Sequence, residues 1–302
     1  MNGDKTSRKP VAGAALLTSV RKYVRPANLA EVLAARRENK DAQYLAGGTF
    51  LLAGDKRSKP ESLIDIGSAL PRNLALLGDG SISLAALASF QEVADWSTTL
   101  SPPSAFPVAL RAAILSMANR NTRNRATIGG NLGADKSCST LIPILVALGT
   151  EVETASPDQP QPQLQELEAW LEARRNADKA STLAVRIVVS NQAGRGSSCK
   201  RWARTACDIS ILEAAASLSL RAGRILSLRL ALGGFSLHAR RFPAVEAAFE
   251  GSVLPSREKI ESLVAPLLSP IDDVRGSADF KRYRGASLVA DAILEAAREA
   301  HR

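Results

Sequence analysis

The chain has 302 residues, a formal net charge of +9, 45% hydrophobic residues and 4% aromatic residues. No apolar run reaches the roughly 20 residues of a membrane span, and the basic residues are spread along the chain without an aromatic platform, which argues against nucleic-acid binding. Three cysteines, Cys138, Cys199 and Cys207, are too few and too scattered for a disulfide framework or an iron–sulfur cluster and point to a reducing cytoplasm.

A chain of this length buries a large core and holds two or three subdomains. Residues 1–18 read as a flexible N-terminal extension. Their short apolar patch at 11–17 lacks the longer core and cleavage site of a signal peptide. Residues 22–26 read as a strand ending at Pro26. Asn28 then caps an amphipathic helix over 29–37. A short apolar strand at Tyr44 and Leu45 runs into Gly47-Gly48-Thr49. Leu63 to Ile66 form a buried strand between Pro60 and Gly67, and this small α/β unit ends near Pro71. Gly78-Asp79-Gly80 marks a hairpin between apolar runs. Ser89 caps a helix containing Val93 and Trp96. After the linker at Pro102-Pro103, an apolar helix over 108–117 delivers the chain to its most specific stretch.

That stretch reads NRNTRNRATIGGNLGADKSCSTLIP, from Asn119 to Pro143. Gly129 and Gly130 remove two adjacent Cβ atoms, so the backbone can bend sharply and approach a ligand. Successive N–H groups in such a turn form a concave anion site, and Thr127 and Asn131 add side-chain donors. Ser137, Cys138, Ser139 and Thr140 offer N-caps for the apolar run 141–148, closed by Gly149. A glycine turn followed by a capped helix start suits a diphosphate. With Gly47-Gly48-Thr49, two backbone loops could grip one phosphate-bearing ligand.

The remainder alternates. A strand at 151–154, a loop at 156–162 and a strand at 183–189 lead to a Gly/Ser-rich linker at 191–198. Residues 211–220 and 226–232 read as a hairpin around Ala222-Gly223, with Leu226, Leu228, Leu230 and Leu232 on one face. Gly233-Gly234-Phe235 reads as a strand-ending turn rather than a third ligand loop. Residues 245–249 and 260–268 are helical.

The segments LAGGTFLL, LIDI and NRNTRNRATIGGNL together resemble the FAD-binding (medium) subunit of the molybdenum hydroxylases, the family of xanthine dehydrogenase and aerobic carbon monoxide dehydrogenase. Asn121-Thr122-Arg123-Asn124 stands where that family usually has Gln-Ile-Arg-Asn. The resemblance runs from about residue 23 to 297. It implies an α+β chain. A two-subdomain FAD-binding fold of the p-cresol methylhydroxylase type would occupy 19–195, divided into about 19–72 and 73–195. A C-terminal sheet-and-helix domain of the CO dehydrogenase flavoprotein type would occupy 196–302.

The same resemblance implies the site. The backbone of Ala46, Gly47, Gly48, Thr49, Phe50, Leu51 and Leu52, with Thr127, Ile128, Gly129, Gly130 and Asn131, would hold the diphosphate. Ser89 keeps the one hydroxyl of a family segment that touches the cofactor. Met117 either covers the flavin or is an ordinary core methionine, and Lys200 either reaches toward the flavin or is solvated. Thr140 stands where many relatives place an Asp near the flavin. It would donate to the cofactor or cap the following helix.

The chain's own chemistry is sparse. Its two histidines, His238 and His301, have no metal-ligand spacing and match no covalent flavin attachment site, and GxGxxG is absent. The redox chemistry therefore belongs to a cofactor, which the resemblance implies is FAD, held noncovalently. The resemblance implies electron transfer from 2Fe-2S clusters on one partner, supplied by a molybdopterin subunit, to NAD or another acceptor. The assembly would be a cytoplasmic dimer of heterotrimers. The alternatives are a flavin-free scaffolding paralogue and a stand-alone flavin oxidoreductase, for which no substrate base is evident.

Overall fold

A computed structural model of the chain describes residues 20–53 and 60–301, so the extension expected at 1–18 lies outside the described residues. The first layer is a three-stranded parallel sheet of order β1-β3-β2, formed by β1 (Lys22–Val24), β2 (Gln43–Leu45) and β3 (Ser62–Asp65). Helix α1 (Leu29–Glu38) begins where the Asn28 side chain accepts the Glu31 N–H, and it buries Val32 and Leu33.

The second layer is a five-stranded antiparallel sheet of order β4-β5-β8-β6-β7, made of β4 (Leu74–Leu76), β5 (Ile82–Ala85), β6 (Glu151–Ala155), β7 (Gln163–Glu166) and β8 (Leu183–Val189). Central β8 is buried along nearly its whole length, as its continuous apolar run requires. Its one charge, Arg186, is paired with Glu153 on β6 at 2.8 Å. Helix α2 (Phe90–Ser97) starts with a full capping box. Glu92 N–H donates to Ser89 Oγ at 3.1 Å, and Ser89 N–H donates to Glu92 Oε2 at 2.6 Å. Helices α3 (Val108–Ser116), α4 (Arg120–Arg123), α5 (Ile128–Ala134), α6 (Ile142–Ala147) and α7 (Leu167–Arg175) complete this part.

The third layer is a four-stranded antiparallel sheet of order β12-β11-β10-β9, from β9 (Gly196–Trp202), β10 (Leu212–Arg221), β11 (Arg224–Gly233) and β12 (Arg240–Arg241). One face packs on α8 (Pro243–Phe249), α9 (Arg257–Val264) and the long α10 (Ala278–Ala300). The other face contributes Cys199, Ala215 and Ala231 to the core around the second sheet, so two layers share one apolar cluster.

Several expectations change. The linker placed at 191–198 is shorter, because Gly196, Ser197 and Ser198 already belong to β9. Gly196 is a packing residue: a Cβ there would lie 1.9 Å from the Ala296 carbonyl oxygen and 2.3 Å from the Ala300 nitrogen of α10. Leu226 is 55% exposed although it shares the period of Leu228, Leu230 and Leu232. A register shift between Ser219 and Leu220 pairs Leu220 with Ile225, so Ile225 takes the core position instead. Strand β7 and helix α7 lie between the loop expected at 156–162 and the strand expected at 183–189. The spacing of Leu167, Trp170, Leu171 and Arg174, all buried on α7, is a helical stripe that carried the signal. The turn at Gly234 is structural, as expected: φ is +84°, and its N–H donates to the Ser137 carbonyl at 2.7 Å.

Gly196→Val is expected to push α10 off β9 and lower the unfolding free energy by about 2 kcal/mol or more, read from urea denaturation. An unchanged midpoint would show that the helix does not rest on the strand there.

Candidate functional site

The first glycine segment leaves β2 and folds across the second. A Cβ on Gly47 would lie 1.7 Å from the Arg125 carbonyl oxygen, so only glycine lets these two backbones meet. Gly48 has φ +73°, and its carbonyl accepts the Leu52 N–H at 2.9 Å. The N–H groups of Gly47, Gly48 and Thr49 have no acceptor among the described residues.

The second segment is built differently from its sequence reading. Gly129 and Gly130 do not form a sharp turn. Neither has positive φ, and both lie in the first turn of α5. Thr127 caps that helix, its Oγ1 accepting the Gly130 N–H at 3.0 Å. The Ile128 and Gly129 amides donate to Ala88 and Ala86 at 3.0 and 2.8 Å, and Asn131 N–H donates to Thr127. A Cβ on Gly129 would lie 2.7 Å from that of Ala86, which explains the glycine: α5 lies directly against the segment after β5. These amides are therefore spent within the fold, while those of Gly47, Gly48 and Thr49 have no acceptor among the described residues.

The free donor on this side is a side chain. Asn131 Oδ1 accepts the Leu141 N–H at 3.3 Å, which leaves its Nδ2 without a partner among the described residues. Thr140 does not cap α6, whose N-cap position is Leu141 without any side-chain cap bond. Ser139 instead accepts the Lys136 N–H at 2.9 Å, and the Thr140 hydroxyl has no partner among the described residues.

Both segments wall one cavity of about 950 Å³, at the upper end of small-molecule sites. From the first it takes Ala46, Gly47, Gly48, Thr49, Phe50 and Leu51; from the second Thr127, Gly129, Gly130, Asn131 and Thr140, with Met117 at the end of α3. Four expected site residues do not line it. Leu52 closes the first loop, Ile128 is fully buried, and Ser89 is 3% exposed in its capping box. Lys200 is paired with Glu295 on α10. Alternation along β9 explains this: Lys200 faces α10, and its neighbour Arg201 lines the cavity.

The walls are basic. Lys136 sits 5.2 Å from the Phe50 ring centre and links the two segments. Arg174 on α7 stacks over Trp170 at 4.5 Å and donates to the Leu132, Gly133 and Lys179 carbonyls. Burial lowers its pKa to about 10. Arg36, 3% exposed, donates to the carbonyls of Ala180, Asn39 and Ala42 and pairs with Asp178. Beside it the Tyr44 hydroxyl is buried without a partner among the described residues, and burial pushes it up to about 12. No local sequence signal marks these arginines, because their burial depends on α7 and the segment after it.

A buried ion pair locks the far side. Asp135 ends α5 with φ +39° and is 1% exposed. Arg175 donates to both its oxygens at 2.8 and 2.9 Å, and His238 Nδ1 lies 3.1 Å from Oδ2. Burial alone would raise this carboxyl. The Arg175 hydrogen bond and the charges of Arg175, His238 and Lys179 outweigh it and hold it below the usual range.

Residues 18–190 match the family described as FAD binding domain in molybdopterin dehydrogenase, and residues 197–296 match the CO dehydrogenase flavoprotein C-terminal domain. The chain belongs to this family of FAD-binding medium subunits of oxidoreductases. It is 26% identical over 286 residues to the nicotine 6-hydroxylase medium subunit of Paenarthrobacter nicotinovorans, covering 91% of this chain and 96% of that one. It is 28% identical over 279 residues to the uncharacterized protein YgfM of Escherichia coli K12, covering 90% and 95%. Its fold matches a chain of carbon monoxide dehydrogenase from Hydrogenophaga pseudoflava with a TM-score of 0.82 at 23% identity, covering 93% and 98%. No helix among the described residues is long and apolar enough to cross a membrane, and no group of three or more metal-binding side chains occurs among them.

Arg175→Ala strands a buried carboxylate and is expected to lower stability by about 3 kcal/mol at neutral pH. Because the Asp135 pKa is lowered by folding, its contribution is complete above the ordinary value of 3.8 and fades as pH falls through the folded value. The gap between wild type and variant in chemical denaturation should therefore close in acid.

Proposed function

We propose that the cavity binds one FAD per chain noncovalently and that the bound flavin relays electrons within a heteromeric molybdenum hydroxylase. The observation that carries this is the run of amides at Gly47, Gly48 and Thr49 without an acceptor among the described residues, on a segment that lines the same cavity as Asn131 and Thr140. Such a nest suits the cofactor's diphosphate. Lys136, Lys179 and Arg174 give the walls the matching sign. The flavin supplies the redox chemistry when bound; the chain's residues bind and orient it.

Neither histidine lines the cavity, since His238 is held at Asp135 and His301 ends α10. That supports noncovalent binding. The family matches end at 190 and resume at 197, which supports a flavin-binding part over 19–195, split at about 72, and a C-terminal domain from 196. Relatives named as medium subunits or chains support partners for this chain. The partners would be a 2Fe-2S subunit and a molybdopterin subunit in a cytoplasmic dimer of heterotrimers. Electrons would leave to NAD or another acceptor. Thr140, with its hydroxyl uncommitted, would donate to the cofactor.

Acid precipitation of the purified yellow chain should leave all flavin in the supernatant, and flavin in the pellet would contradict noncovalent binding. Thr140→Val should weaken FAD binding by about 1 kcal/mol without loss of stability. Gly47→Ala should abolish binding, because the added Cβ separates the two segments. Full FAD occupancy in Gly47→Ala would place the site elsewhere. Affinity purification from native cells should recover an iron–sulfur and a molybdenum subunit.

A further inference from the structure

Strand β10 carries a buried acid with no ion-pair partner among the described residues. Glu213 is 1% exposed and stands opposite Arg201 on β9 and Gly233 on β11. Its Oε1 lies 2.5 Å from Ser210 Oγ, and its Oε2 has no partner among the described residues. Ser210 is itself buried yet lines the cavity, and its Oγ accepts Arg201 Nε–H at 2.8 Å.

A serine hydroxyl offers one hydrogen and two lone pairs. Arg201 fills one lone pair at every pH, because a guanidinium does not lose its proton. The rest depends on Glu213. An ionised Glu213 takes the serine hydrogen. A protonated Glu213 has Ser210 as its one acceptor within reach; it fills the second lone pair and leaves the serine hydrogen for the cavity.

We propose that Glu213 and Ser210 form a proton-gated hydrogen-bond donor, in which Ser210 donates to an acceptor atom of the bound cofactor only while Glu213 holds its proton. This rests on the reading of the cavity as an FAD site. Glu213 is a positioning residue: it acts through Ser210.

Its surroundings favour the neutral acid. Burial pushes the carboxyl up to about 8, against the smaller opposing pulls of the Ser210 hydrogen bond and the Arg201 charge. Arg201 is itself engaged by the Ala206 and Asp208 carbonyls. Cys199, beside it on β9, is a thiol that burial and Glu213 drive upward, so it adds no charge near neutrality. On the segment that packs over Gly233, Ser137 accepts from Arg275, which is paired with Asp273. Asp208 is held low by Arg204 and stays ionised throughout.

Titrating the full-length chain with FAD by flavin fluorescence, between about pH 6.5 and about pH 9.5, tests the gate. Wild-type affinity should fall about fivefold as pH rises through about 8. Glu213→Gln cannot ionise and should show no step. Ser210→Ala lacks the donor and should bind about fivefold more weakly at low pH, again without a step. A wild type without a step, or a step that survives in either variant, overturns the gate while leaving the FAD site standing. A chain that binds FAD at no pH overturns both. Thermal unfolding gives a readout without cofactor. A raised acid stabilises fully below its unfolded value of 4.5 and loses that contribution as pH rises through about 8. The wild type should therefore lose melting temperature over this range relative to Glu213→Gln. Parallel curves would show Glu213 already ionised and would sink the proposal.

Discussion

The site depends on a contact between two backbones. Gly47 lies on the carbonyl of Arg125, and Gly129 lies on the segment at Ala86. No side chain fits between them. Because Gly47 meets only main chain and Gly129 meets only the Cβ and carbonyl of Ala86, the distance is set by van der Waals radii rather than by rotamers. The Ser89–Thr127 bridge joins the same segments. The result is a rigid wall whose amides divide into two groups. Those of α5 are consumed by Thr127, Ala86 and Ala88, while those at Gly47 to Thr49, on residues that line the cavity, have no acceptor among the described residues.

The excess of positive charge serves structure as much as recognition. Arg36, Arg123 and Arg174 use their planar forks to collect carbonyl oxygens at helix ends and loops. Arg123 in particular ties the end of α3 to the block that follows, and its Nε donates to Gln91 on α2. A guanidinium keeps its charge when desolvated and satisfies several carbonyls at once, which a lysine cannot do in the same geometry. Lys136 and Lys179, lining the cavity, give it its sign.

The C-terminal sheet does two jobs with its two faces. The face bearing Lys200 and Ala214 receives α10. The Arg201 and Glu213 face closes the cavity and joins the shared core. The Asp135–Arg175–His238 cluster and the Gly234–Ser137 hydrogen bond fasten this sheet to the flavin-binding part. A cofactor in the cavity would thus be held by parts far apart in sequence but fixed to one another by buried contacts.

Local chemistry made much of this legible in the sequence. Asn28 and Ser89 cap where their side chains can reach free amides, Gly78-Asp79-Gly80 and Ala222-Gly223 turn hairpins, and both glycine segments reach the cavity. The sequence by itself determined the family, through AGGT and ATIGGN, and the absence of metal-binding or covalent-attachment patterns. Other features needed the tertiary structure. Only packing shows that Gly129-Gly130 starts a helix against Ala86, since glycine permits a turn and a close approach equally. Only strand register sends Lys200 to α10 and Arg201 to the cavity, because a shift of one residue reverses the face. Only the fold buries Arg174, Asp135 and Glu213: Arg174 reaches Leu132 and Gly133, Asp135 meets Arg175 and His238, and Glu213 lies between Arg201 and Gly233 on the flanking strands. Spacing determines what a residue does to its neighbours along the backbone; burial, and with it the charge state of an ionisable group, is decided by segments that the local sequence does not contain.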